Sequence, residues 1–203
     1  MTLPPRFTDD VADLPTHKFG PSSATWWGVM AFMVIEGVAF AMAIAAYFFL
    51  MGHEQGWPPE GREAPNIIAG TLFTLIILLS EVLNTRVKKA AEAHDTMNVR
   101  KILPIMVGIG VVLLVVRGFE FNSLNVRWTD DAYGSIIWAL LLLHTAHMLT
   151  DWVDTAVLAV LVHTVEGFEG RRLVDVDENS LYWRFVWIAW LPIYFMIYWI
   201  PRL

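Results

Sequence analysis

Long apolar runs alternate with short polar connections along the whole chain. Five of the runs, residues 23–51, 65–87, 102–121, 133–163 and 181–200, are of a length to cross a hydrocarbon core, which takes about 20 helical residues. A lipid-exposed backbone must satisfy its own hydrogen bonds, so runs of this length predict helices rather than open strands. The predicted fold class is therefore all-α: a polytopic membrane protein built as a five-transmembrane-helix bundle occupying residues 23–203. Residues 1–22 carry Asp9, Asp10 and Asp13 and no apolar stretch of the kind a signal peptide needs, so they are expected to form a short tail on the membrane surface.

Local signals sharpen the boundaries. Ser22 or Ser23 is placed to cap the first helix, with Trp26 and Trp27 at headgroup depth. The connection HEQGWPPEGREAP is turn chemistry, and Pro65 suits the first turn of the second helix. The third run is strictly apolar only as far as Val116, after which Arg117-Gly-Phe-Glu120 requires a polar setting or a tuck against protein. The fourth extends towards Glu166 and would outrun the bilayer, so it is expected to tilt or protrude. Pro192 predicts a kink in the fifth.

Composition agrees with a membrane class: 56% of the 203 residues are hydrophobic and 17% are charged. The absence of cysteine removes disulfides, thiolate metal sites and covalently attached haem. A net charge of −6 without a basic stripe argues against nucleic acid as a partner. Arg6, Lys18, Arg86, Lys88, Lys89, Arg100, Lys101, Arg171, Arg172 and Arg184 fall on one side of the predicted topology, against Arg62, Arg117, Arg127 and Arg202 on the other. The positive-inside rule then places the N-terminus in the cytoplasm and the C-terminus outside a prokaryotic plasma (inner) membrane.

The candidate chemistry lies inside the spans. His144, His147, Asp151 and Asp154 are separated by three, four and three residues, so they form one stripe along a helix. Lipid cannot solvate such a stripe, because a charge at the bilayer centre costs at least about 2.5–3.5 kcal/mol. Glu36 lies at the middle of the first span, at the depth of this stripe, and is expected to share a hydrogen bond or a proton with His144 or His147. Arg117 and Glu120 have the spacing of a structural ion pair on one face.

Three readings of the stripe compete: interhelical locking, proton handling by Glu36, His144, His147 and Asp151, and a bound metal. The last corresponds to a free-standing membrane redox or metal protein using His144, His147, Asp151 and Asp154, and would need further ligands from other helices. No nucleophile, phosphate loop or zincin motif occurs. A small proton-coupled carrier finds no support in an inverted repeat.

In order and spacing, these residues resemble subunit III of the haem-copper terminal oxidases. The run WWGVMAFMVIEGVAFAMAIAAYFF is similar to that family's helix with a mid-membrane glutamate, and places Glu36 on it. WPP at 57–59 resembles the family's Trp-Pro-Pro loop, RGFEF places Glu120 on its glutamate before an aromatic, and DDAYGS resembles the entry to its next helix. LHTAHM places His144 and His147 on a family pair of histidines, and YWRFVWIAWL resembles a Tyr-Trp-His-Phe-Val-Asp segment. The five spans then correspond to the family's last five helices. Asp151 stands where a small residue is usual, Arg184 replaces a histidine and Trp187 an aspartate.

The resemblance implies a subunit with no catalytic centre and no cofactor of its own. It would pack against catalytic subunit I, which holds haem and copper, and against other oxidase subunits and membrane lipids. Members of the family help sustain proton uptake, protect the catalytic site during turnover and hold phospholipid.

Overall fold

The computed structural model describes residues 15–164 and 170–203. Most of the expected surface tail and the Glu166 extension of the fourth span lie outside the described residues. Among the described residues there are five helices long and apolar enough to cross a membrane and no strands. They are α1 (Ala24–Met51), α2 (Ile67–Glu92), α3 (Thr96–Asn122), α4 (Ala132–Thr164) and α5 (Arg171–Tyr194). The last continues as a π-helical turn, Phe195–Trp199, and a 3-10 turn, Ile200–Arg202.

α2, α3 and α5 run past their apolar stretches, and polar residues in the added turns find partners in neighbouring helices. α2 begins behind Asn66, whose side chain accepts from the Ile68 N–H at 2.9 Å, so Pro65 precedes the helix instead of opening its first turn. α3 starts six residues before its apolar run, capped by Asp95, which accepts from the Asn98 N–H at 3.1 Å. The C-terminal end of α2 and the N-terminal part of α5 are joined by the Lys88–Asp177 ion pair, and Arg100 Nε donates to the Val162 carbonyl at 2.9 Å. Ser23 occupies the N-cap of α1, but its hydroxyl caps no backbone N–H there; it donates to the Thr16 carbonyl at 3.1 Å and lies 2.8 Å from the Thr25 hydroxyl.

α2 packs against α3 and α5, α3 against α4, and α4 against α5, while α1 lies on the flank of α4 and α5. α1 buries only Phe40 and Tyr47, and large apolar residues such as Ile35, Val38 and Met42 face outwards. A helix that is apolar all round and meets neighbours on one side is a lipid-facing element. The main core gathers Phe73, Leu113, Ile137, Leu140 and Trp190, and a second cluster around Val87, Leu103, Leu158 and Leu173 closes the N-terminal end of the bundle.

Two glycines let side chains of neighbouring helices come close. A Cβ at Gly110 of α3 would sit 2.2 Å from the Trp152 indole of α4, which donates to the Val107 carbonyl at 3.0 Å. A Cβ at Gly70 of α2 would sit 2.3 Å from the Tyr198 ring. At the opposite end, Trp57 donates to the Tyr47 hydroxyl at 2.6 Å, and Tyr47 donates to the Met196 carbonyl at 2.8 Å. Arg62 bridges Asp130 and Asp131 at 3.2 and 2.8 Å, tying the two connections at that end together.

Candidate functional site: polar clusters inside the bundle

The stripe on α4 does not converge on one centre. His144 and His147 point to different neighbours, and Asp151 and Asp154 to a third. Among the described residues no group of three His, Asp or Glu side chains is placed to hold a metal ion.

His144 belongs to a buried cluster with Arg117 and Glu120 of α3. Arg117 Nη1 donates to Glu120 Oε2 at 2.7 Å, and Tyr198 donates to the other carboxylate oxygen at 2.5 Å. Arg117 Nη2 lies 3.0 Å from His144 Nδ1, while His144 Nε2 lies 3.1 Å from the Val186 carbonyl. A guanidinium only donates and a carbonyl only accepts, so His144 is neutral with its proton on Nε2. The guanidinium carbon lies 3.8 Å from the Phe73 ring centroid and 4.2 Å from that of Trp190. Arg117 and Glu120 are almost completely buried; mutual neutralisation, hydrogen bonds and two aromatic faces offset their desolvation.

Tyr198 reaches Glu120 because the chain passes from α-helix to π-helix just beyond Pro192, which rotates the last side chains of the span. Gly70 leaves room for its ring. These partners are not legible from the Arg117–Glu120 spacing.

Glu36 takes His147, not His144, as its histidine neighbour, at 3.5 Å between Oε1 and Nε2. The Tyr182 hydroxyl of α5 donates to its other oxygen at 2.6 Å. His147 Nδ1 is 2.7 Å from the Leu143 carbonyl and must carry a proton to bond there. The other ring nitrogen, Nε2, faces Glu36 at a separation longer than an ordinary hydrogen bond. The ring of Phe40 lies 4.6 Å from His147, and Phe32 stacks on Tyr182 at 5.9 Å. Tyr182 is the member that sequence reasoning missed: it is the second residue of the predicted fifth span, and it lies level with Glu36 only because α5 begins ten residues earlier, at Arg171.

Asn179 of α5 bridges the two aspartates. Its amide nitrogen donates to Asp151 Oδ1 and Asp154 Oδ2, both at 3.1 Å, and its oxygen accepts from Thr155 at 3.2 Å. A fourth cluster centres on Glu81 of α2. Arg184 Nε donates to it at 2.7 Å, Trp187 at 3.2 Å and Asn84 at 2.9 Å. Arg184 and Trp187 are two of the positions at which the sequence departs from the oxidase pattern, and both turn to this carboxylate.

The chain matches the family model described as cytochrome c oxidase subunit III over residues 12–201. It is similar to cytochrome c oxidase subunit 3 of Synechocystis sp., with 23% identity over 174 residues, 85% of this chain and 74% of that protein. The corresponding protein of Thermostichus vulcanus is 24% identical over 177 residues, 86% of this chain and 87% of its own. That of the sea star Pisaster ochraceus is 25% identical over 195 residues, 90% of this chain and 72% of its own.

Proposed function

The chain belongs to the cytochrome c oxidase subunit III family, and from that premise we propose that it is the non-catalytic third subunit of a prokaryotic respiratory haem-copper oxidase, seated against catalytic subunit I. Haem and copper belong to the catalytic subunit; this chain supports proton uptake, stabilises its partner during turnover and holds phospholipid at the protein–lipid boundary. The observation that carries the proton part is the Glu36–His147–Tyr182 arrangement at mid-span. A carboxyl and an imidazole facing each other inside a span are the residue types from which intramembrane proton relays are built.

The distribution of Lys and Arg supports an inner membrane orientation with the N-terminus in the cytoplasm, which puts the C-terminal end of α2, with Arg86, Lys88 and Lys89, on the inner side. Partner chemistry is tested by purification. The chain tagged and isolated from its native membrane is expected to bring down a haem- and copper-containing subunit, whereas the chain expressed alone is expected to be colourless and metal-free. An optical spectrum with haem bands from the isolated chain would overturn the assignment and restore the free-standing redox reading.

A further inference from the structure

α2 and α5 are laced together by polar pairs that are spent between the two helices: Thr74 with Trp190, Ser80 with Trp183 and Lys88 with Asp177. The Glu81–Arg184 pair differs, because the Arg184 side chain stays 37% exposed although it lies inside the predicted fifth span. We propose that the α2–α5 face around Arg184 is a docking surface for a transmembrane helix of a neighbouring oxidase subunit, which sets an uncharged oxygen acceptor, an Asn, Gln, Ser or Thr side chain, against the free edge of the guanidinium. The inference rests on the oxidase-subunit reading above and assigns it a contact face.

Hydrogen-bond accounting carries the argument. Every guanidinium nitrogen is a donor and none accepts. Arg184 directs Nε and Nη2 at Glu81, and Nη2 also reaches the Thr85 hydroxyl at 3.2 Å, but among the described residues Nη1 has no partner. Glu81 cannot turn to meet it. Its Oε1 accepts from Arg184 and from Thr85 at 3.1 Å, while its Oε2 accepts from Asn84 and Trp187. The N–H groups of Nη1 therefore need an acceptor from outside the chain, and acyl chains supply none. Glu81 already neutralises the guanidinium, so a second carboxylate would leave a net charge in the membrane, and a neutral oxygen is the acceptor that fits.

The surroundings of the pair suit a helix better than a lipid headgroup or a second copy of this chain. Leu78 and Val82 of α2 and Ile188 and Leu191 of α5 are exposed beside it, so the donor sits in an apolar collar, the arrangement of an interface anchor. Glu81 precedes Lys88 by seven residues, about 10 Å of helix rise from the charged inner end of α2. A phosphate would have to leave the headgroup layer to reach that depth, and would bring a charge with it. A second copy docking on this face by two-fold symmetry would set one Arg184 towards the other, donor against donor.

The test uses the full chain in its native membrane. Because the chain has no cysteine, Ile188→Cys carries a single benzophenone maleimide, which on illumination is expected to join one span of another oxidase subunit. Mass spectrometry of the joined peptide is expected to find Asn, Gln, Ser or Thr at the depth of Arg184. The double variant Arg184→Leu with Glu81→Gln removes the charges together and leaves an amide oxygen for Asn84, Thr85 and Trp187, and it is expected to lower the adduct several-fold. Leu191→Trp breaks no side-chain hydrogen bond and adds bulk to the collar, so it is expected to lower the adduct as well while the chain keeps its wild-type melting temperature. Adduct yields unchanged in both variants overturn the docking surface, as does a joined span that is apolar throughout. An adduct with a second copy of the chain, or with phospholipid alone while a haem-containing subunit still copurifies, overturns the face and leaves the oxidase-subunit reading standing. Absence of any haem-containing subunit from the purified wild-type chain overturns both.

Discussion

Arg117 and Glu120 form the most heavily invested contact of the molecule, since each is buried and each is the other's counter-charge. Replacing Arg117 by Met is expected to destabilise the bundle by about 3–5 kcal/mol, because it strands a buried carboxylate and deprives His144 of its donor. Pairing it with Glu120→Gln should recover a large part of that loss. Thermal unfolding of the detergent-solubilised single and double variants measures the coupling, and additive losses would show that the two charges are not acting as a pair. At Glu36 the sign depends on the substitute. Glu36→Gln keeps an acceptor for Tyr182 and is expected to assemble normally, whereas Glu36→Ala leaves the Tyr182 hydroxyl and His147 Nε2 without their neighbour and should cost about 1–3 kcal/mol. Normal assembly of the alanine variant, with wild-type turnover across pH, would remove both the packing and the proton role.

At the scale of elements, the glycines set how closely helices approach. Gly110→Ala places a methyl inside the Trp152 ring and is expected to push α3 and α4 apart at a cost of about 1–3 kcal/mol. Gly108→Ala, two residues away with open space around its Cβ, serves as the neutral control, and a similar loss in both would point to backbone effects instead. Gly70→Ala is expected to act at a distance, by moving Tyr198 off Glu120; combining it with Tyr198→Phe, which already lacks the hydroxyl, should add little hydrogen-bond loss. The π-helical turn after Pro192 matters for the same reason, since it aims Tyr198 inwards at the end of a span.

For the whole molecule, five alternating spans are expected to leave the two ends of the chain on opposite sides of the membrane. The chain has no cysteine, so single cysteines report topology without background. A cysteine at position 57 is expected to react with an impermeant reagent from outside, and one at position 89 only after the membrane is opened. Reactivity of position 57 from the cytoplasm would invert the orientation. The outward-facing apolar surface of α1 also predicts that the isolated chain depends on detergent or lipid, because that helix contributes little to the core.

Length and apolarity were enough to count the spans, since the thickness of a bilayer imposes both on any helix that crosses it. The same one-dimensional information gave Glu36 and the histidines a common depth, and the three-residue spacing gave Arg117 and Glu120 a common face. Depth does not specify rotation about the helix axis. In spans that are apolar on every side no periodic signal says which face turns inwards, so the choice of His147 over His144 for Glu36 was decided by packing. The same applies to Tyr182, Asn179 and Tyr198, and to Glu81 as the target of Arg184 and Trp187. Each of those pairs joins residues far apart in the chain, and only the packing of α1 to α4 against the fifth span, and of α1 against α4, brings them together.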